Sequence, residues 1–197
     1  MDFVKKINNL LNKSEVNDIL KSVEDQIFYK AYSVYDYNNR NNPDYVVQKR
    51  SRKGHVRFLE ESDVPHFDKI RKAFESFMEK EMNVDVDHYE IQLAKYEMGD
   101  FFNPHTDSSL DYATAKTGKC RKLSMSIQLS EPEDYDGGQL EVYIPNQTKN
   151  KSFSVEKLSD NLGAGIIFPA FLEHSVSKLK SGMRLSLVVW ANGNFWK

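Results

Sequence analysis

His105, Thr106 and Asp107 stand together, and His174 and Arg184 follow much later in the chain. Two imidazoles and one carboxylate can occupy one triangular face of an octahedral metal and leave the opposite face open. That donor set with open positions suits the non-heme Fe(II) oxygenases. Arg184 begins a strongly apolar run that ends at Trp190. A guanidinium suits a carboxylate, which it grips through two parallel hydrogen bonds. A buried lone arginine is costly without a partner, and an incoming carboxylate would supply one. Metal, open positions and carboxylate anchor together suggest an iron enzyme with a dicarboxylate cosubstrate. His-x-Asp alone is a weak motif. In a strand its two side chains share a face because the side-chain period is two. That permits chelation and equally permits two ordinary surface residues.

The elements that must position these residues are legible as two patterns. Ser14-Glu15-Val16-Asn17 begins like a capped helix with Val16, Ile19, Leu20 and Val23 as its apolar stripe. A strand-like run covers Ile27 to Tyr35, and Asn38 to Asn42 with Pro43 reads as a turn. A second helix is expected over Val64 to Lys80, with Ile70, Ala73, Phe74, Phe77 and Met78 inward. After Val84 the period shortens. Tyr89, Ile91 and Leu93, and later Leu123, Met125, Ile127 and Leu129, alternate with polar or small residues, as half-buried strands do. Further strands are expected over Gln139 to Ile144, Lys151 to Val155, Gly165 to Phe168, His174 to Leu179 and Arg184 to Trp190. Turns are expected at Pro132, Gly137-Gly138, Pro145-Asn146, Gly163 and Ser181-Gly182. Short strands at regular spacing suggest a sandwich or barrel such as a jelly roll. Helices that precede them give one α+β domain with the helices on one face.

Bulk properties narrow the classes. The 197 residues suffice for one domain with a full core, and 40% hydrophobic with 28% charged residues is ordinary globular composition. A net charge of −2 gives no global pull toward nucleic acid or anionic membrane. No apolar run approaches the ~20 residues that span a bilayer, and Met1 to Lys6 lacks the apolar stretch of a secretory leader. One cysteine, Cys120, cannot form an internal disulfide, so a reducing, cytoplasmic setting is expected.

The order Tyr96, Gly99, His105-Thr106-Asp107, then Leu123 to Ser130, Asp134 to Leu140, Phe168-Pro169-Ala170, His174-Ser175-Val176 and Arg184-Leu185-Ser186 resembles the prolyl 4-hydroxylase-like 2-oxoglutarate/Fe(II) dioxygenases. Compact bacterial and phage members are the nearest in pattern, and the resemblance covers roughly Tyr89 to Trp190. It implies a double-stranded β-helix core over 86–197 with a helical N-terminal support over 1–85, all one domain. It implies His105, Asp107 and His174 as iron ligands and Arg184 on the distal carboxylate of 2-oxoglutarate. Tyr96 matches a tyrosine that hydrogen-bonds this cosubstrate in several members. Gln128 falls where some members place a second such tyrosine, and an amide there can still donate. Asn103 and Ser186 are candidate donors beside the site, Ser186 toward the cosubstrate. Fe(II), 2-oxoglutarate, O2 and, by family habit, ascorbate are the implied cofactors. Hydroxylation of an unactivated C–H bond, with release of succinate and CO2, is the implied reaction. A peptidyl proline is the first substrate expected; another residue, a free amino acid or nucleic acid are the alternatives. A jelly-roll binding module with a degenerate metal site is the non-enzyme reading, and a zinc hydrolase would leave Arg184 unexplained.

His55, His66 and His88 lie outside the motif and read as surface or packing histidines, and Trp190 and Phe168 read as core near the site. The stretch Lys49 to Arg57 is either a solvated hairpin or loop, or a flap on the substrate groove. Lys116, Lys119, Arg121 and Lys122 form a second basic cluster. Two such clusters flanking one cleft would favour a phosphate backbone, whereas Glu60, Glu61 and Asp63 interrupt the stripe. Oligomeric state has no signature in the sequence.

Overall fold

The computed structural model describes residues 3–31, 51–108, 118–145, 153–159 and 161–194. In chain order its elements are β1 (Lys5–Ile7), α1 (Lys13–Ser22), β2 (Tyr29–Lys30), β3 (Arg52–Lys53), β4 (His55–Leu59), α2 (Phe67–Glu81), β5 (His88–Glu97), β6 (Phe101–His105) and β7 (Lys119–Gln128). They continue with β8 (Tyr135–Gly137), β9 (Leu140–Pro145), β10 (Phe153–Lys157), β11 (Gly165–Pro169), β12 (His174–Val176) and β13 (Leu179–Asn194). Among the described residues an eight-stranded sheet runs β1-β11-β7-β13-β5-β4-β2, with β8 attached to β13. A five-stranded sheet runs β10-β9-β12-β6-β3.

The period-two pattern decides which way each side chain of the large sheet points. Ile91 and Leu93 of β5, Leu123, Met125 and Ile127 of β7, and Leu187 and Val189 of β13 share one apolar cluster with Val16 and Ile19 of α1 and Ile70, Phe74 and Phe77 of α2. Ala94 and Tyr96, one residue out of phase, join Leu140, Val142 and Val176 of the small sheet in a second cluster. The large sheet is therefore the middle layer, with helices on one side and the small sheet on the other. Each fully buried Phe, Ile or Leu of the helix side contributes about 1.5–3 kcal/mol relative to exposure.

Several elements differ from expectation for local reasons. Helix α1 is capped by Asn12 rather than at Ser14. The Asn12 side chain accepts from the Glu15 amide at 3.0 Å, and the Glu15 carboxylate accepts from the Asn12 amide at 2.9 Å. Within Ile27 to Tyr35, only Tyr29–Lys30 is strand in the described part; residues 32–50, which include the expected turn Asn38 to Pro43 and Lys49 and Arg50, lie outside the described residues. The N-terminal segment is not solely helical support, because β1 pairs with β11 at one edge and β4 pairs with β5. The described half of the basic stretch is neither a free hairpin nor a loop. Arg52–Lys53 pairs with β6 of the small sheet and His55–Leu59 with β5 of the large one, so the chain crosses between sheets at Gly54. Ser181-Gly182 does not end a strand but sits within β13. A Cβ on Gly182 (φ 74°) would meet the Asp134 carbonyl oxygen at 1.9 Å, so β13 bends there while it remains paired with β8.

Candidate metal centre and cosubstrate pocket

β6 ends at His105, β12 begins at His174, and the two strands pair so that these histidines are register partners. Cross-strand partners share a face at short range, which brings the rings to 4.1 Å between centroids. Asp107 follows β6 by two residues, and its amide donates to the Ala170 carbonyl at 2.9 Å. Its carboxylate lies 3.3 Å from His174 Nε2 and 3.8 Å from His105 Nε2. The three donor atoms all lie within 4.8 Å of one another.

Both rings face the same way for the same reason. His105 Nδ1 donates to the Asn103 carbonyl at 2.8 Å, and His174 Nδ1 donates to the Leu172 carbonyl at 3.0 Å. A carbonyl can only accept, so each neutral ring carries its proton on Nδ1 and presents the Nε2 lone pair to Asp107's position. That is the orientation a metal needs, with backbone carbonyls fixing the tautomer. The Ser124 hydroxyl donates to Asp107 Oδ2 at 2.7 Å and steers the carboxylate. Phe102 stacks on His105 at 3.4 Å and Phe168 meets His174 edge-on at 4.9 Å. The donor set therefore fits a divalent metal held by two nitrogens and one oxygen.

Electrostatics agree with that use. Burial and the neighbouring His174 push His105 down to about 3, so it stays neutral. Burial opposes ionisation of Asp107, but the charges of His174 and His105 and the His174 hydrogen bond hold it well below the usual carboxylate range. For His174, burial favours the neutral ring, yet Asp107 outweighs it and raises the imidazole above its ordinary value. A proton on His174 would compete with a cation for this place, since both are drawn to Asp107.

In the same cavity as these three residues, Arg184 is 2% exposed. It forms no ion pair with a carboxylate among the described residues, and it lines the same cavity as His105, Asp107 and His174. Its register partner on β5 is Tyr96, and Ser186 follows on the same face. Gly138 (φ 65°) leaves room for it: a Cβ there would come within 3.3 Å of Arg184 Cδ and 2.7 Å of Leu179 Cδ1. A sequence model of the 2OG-Fe(II) oxygenase superfamily matches residues 91–192, the segment that carries all of these groups.

The chain belongs to the 2OG-Fe(II) oxygenase superfamily.

A PKHD-type hydroxylase from Acidovorax ebreus (strain TPSY) is 30% identical over 103 residues, which cover 52% of this chain and 42% of that protein. The chain thus matches less than half the length of this curated relative. A Pseudomonas putida prolyl-4-hydroxylase superposes with a TM-score of 0.68 at 16% identity, covering 96% of this chain and 91% of that one. A prolyl hydroxylase from Trichoplax adhaerens, in complex with a hypoxia inducible factor oxygen degradation domain peptide fragment, superposes with a TM-score of 0.67 at 17% identity over 97% of this chain and 84% of that one. At such identities the likeness is one of fold, the double-stranded β-helix.

In this superfamily member the remaining expected residues are placed unequally. Tyr96 and Ser186 line the cavity, whereas Gln128 does not. The Gln128 amide donates to the Tyr135 hydroxyl at 2.7 Å and to the Ser130 carbonyl at 3.3 Å, so both its hydrogens are in use. Asn103 serves His105 through its backbone carbonyl, while its side chain is exposed. His55 lies near Glu97 and Asp100, but Asp100 already pairs with Lys53 at 3.0 Å and accepts from the Glu97 amide at 2.9 Å. His66 pairs with Asp18 and His88 with Asp87. Of the second basic cluster, Lys119 pairs with Asp87, and Arg121 grips Glu90 at 2.8 and 3.0 Å while lying 3.6 Å over Trp190; Lys116 is outside the described residues. Sequence reasoning gave Ser124 no role and reached Arg52 only as one member of the Lys49 to Arg57 stretch. The alternation Leu123-Ser124-Met125-Ser126 held the signal for Ser124, since both serines fall on the face away from the helices. For Arg52 the signal was the basic stretch itself, while its place in the cavity depends on the crossing at Gly54.

Proposed function

We propose that the protein is a 2-oxoglutarate- and Fe(II)-dependent dioxygenase that hydroxylates a prolyl residue of a peptide. The observation that carries this reading is a single cavity lined both by the triad and by the buried Arg184, which is in no ion pair among the described residues. His105, Asp107 and His174 would hold the metal. Arg184 would take the distal carboxylate of 2-oxoglutarate through charge-assisted hydrogen bonds, with Tyr96 and Ser186 beside it. Fe(II), when bound, supplies the centre at which O2 and 2-oxoglutarate react with the C–H bond, giving succinate, CO2 and the alcohol. The protein's own part is orientation and exclusion of water. The carbonyls of Asn103 and Leu172 and the Ser124 hydroxyl fix the ligands. Phe102, Phe168 and Trp190 wall the cavity with apolar surface and protect the reaction from competing water.

A peptide substrate is supported by the peptide-bound Trichoplax neighbour of the same fold. The tying of Lys119 and Arg121 to carboxylates removes much of the case for nucleic acid. Ascorbate would serve as external reductant. Among the described residues no helix is long and apolar enough to cross a membrane, and the single buried Cys120 accords with a reducing cytoplasm. The test is succinate formation from 2-oxoglutarate by the purified protein with Fe(II), ascorbate and O2, with and without proline-containing peptides. Peptide-stimulated succinate together with a 16 Da gain on proline is expected. Cosubstrate binding with no peptide turnover would reject the prolyl substrate, and no cosubstrate binding would reject the oxygenase.

A further inference from the structure

Arg52 is a second guanidinium in the active cavity, and nothing in the reaction so far uses it. It stands 4.6 Å over the Phe102 ring, which itself stacks on the ligand His105, so it sits one aromatic layer from the metal position. Its Nη2 donates to Gln92 Oε1 at 3.0 Å, which fixes the guanidinium plane. Its Nε is buried with no hydrogen-bond partner. Two neighbouring cations, by contrast, are neutralised: Lys53, the next residue, pairs with Asp100, and Arg121 pairs with Glu90. Arg52 pairs with no carboxylate among the described residues. A buried donor without a partner is costly and marks a place where a ligand atom is missing.

The formal charges of the loaded cavity sharpen this. The divalent metal and Arg184 are balanced by Asp107 and the dicarboxylate cosubstrate, which leaves Arg52 as the surplus positive charge in a cavity walled by Phe102, Phe168 and Trp190. Phe58 adds the shape of the partner. It is 55% exposed and lies directly opposite Gln92 across the β4–β5 pair, so it shares the face of the Gln92 side chain that holds Arg52. An exposed aromatic beside an oriented guanidinium suits an extended peptide with a carboxylate and an apolar group close together.

We propose that Arg52 is the carboxylate clamp for the prime substrate, and that the hydroxylated residue lies in an acidic peptide that also packs on Phe58. This rests on the oxygenase reading above. Arg52 would be a specificity-determining residue, distinct from the cosubstrate anchor Arg184.

The test is a charge-scan of labelled proline-containing peptides of one length, with Glu, Gln or Lys beside the proline. Binding is read by fluorescence anisotropy on the protein loaded with Mn(II) and 2-oxoglutarate, so turnover is not required. The native protein should bind the Glu peptide about tenfold to a hundredfold more tightly than the Gln peptide, the range of one charge-assisted hydrogen bond pair. Arg52→Gln should erase that preference, Arg52→Glu should reverse it toward the Lys peptide, and Arg52→Lys should restore part of it, because a point charge replaces a fork. Phe58→Ala should weaken every peptide without changing the charge preference. Competition by free L-proline or N-acetylglutamate as strong as by the peptides would overturn the acidic-peptide assignment. Equal binding of the three peptides to the native protein, or a Glu preference that survives Arg52→Gln, would overturn the proposal. Loss of succinate formation with an Arg52-dependent Glu preference intact would fault the reaction reading and not the clamp.

Discussion

On β5, β7 and β13, alternate residues of the same strands meet two different environments. Ile91, Leu93, Ile127, Leu187 and Val189 lie against the helices, whereas Gln92, Tyr96, Ser124, Ser126, Arg184 and Ser186 line the cavity under the small sheet. The helix side is a uniform apolar contact in which close packing does the stabilising. The cavity side sets polar groups among apolar walls, with Arg184 in no ion pair among the described residues and an orphaned donor at Arg52. The difference teaches that one layer of backbone carries both stability and chemistry, separated only by the side-chain period of two. Variants on the two sides should therefore fail in different ways.

The largest expected break on the cavity side is His174→Ala. It removes one of the three proposed metal donors, and Fe(II) binding and succinate formation should both fall below detection; the metal-free protein should also lose stability, because buried Asp107 is left without the imidazole beside it. A variant that still bound Fe(II) stoichiometrically would dissolve the proposed ligand set. On the helix side, Phe74→Ala should cost about 3–5 kcal/mol in denaturant unfolding, since a fully buried ring leaves a cavity. The folded fraction should keep its affinity for 2-oxoglutarate. If that affinity collapsed with stability, the two faces would not be separable.

Smaller effects sharpen the boundary. Arg184→Ala should weaken 2-oxoglutarate about tenfold to a hundredfold, the worth of a charge-assisted pair, with Fe(II) affinity nearly unchanged. Equal loss of both would mean that Arg184 supports the fold and not the cosubstrate. Ser124→Ala removes the hydroxyl that steers Asp107 and should weaken Fe(II) by roughly tenfold, a change that titration calorimetry resolves. The smallest effect is a pH slope. In the metal-free protein Asp107 raises His174 above its ordinary value, so a proton must leave before metal enters. Fe(II) affinity should therefore rise with pH, by at most about tenfold per unit, until His174 is neutral, and then level off. His105, held down to about 3, contributes no slope. An affinity that stays flat between about pH 5 and 8 would remove His174 as the competing proton site.

The sequence by itself determined the alternation that makes β5, β7 and β13 strands, because apolar residues at every second position need one buried face. It also determined the amphipathic helices and, through the motif order from Tyr96 to Ser186, the family. The cap at Asn12 was missed by two residues because Asn12 and Ser14 are both competent caps and only the Glu15 geometry chooses between them. The tertiary structure alone decided the use of groups whose partners are distant in sequence. Gln128 turns to Tyr135, Ser124 reaches Asp107, and Asn103 acts through its carbonyl. Arg52 enters the cavity because the chain passes from one sheet to the other at Gly54. A period of two states which side of a strand a residue faces. It cannot state what the neighbouring layer brings to that side, since pairing across sheets is set by long-range packing and not by local spacing.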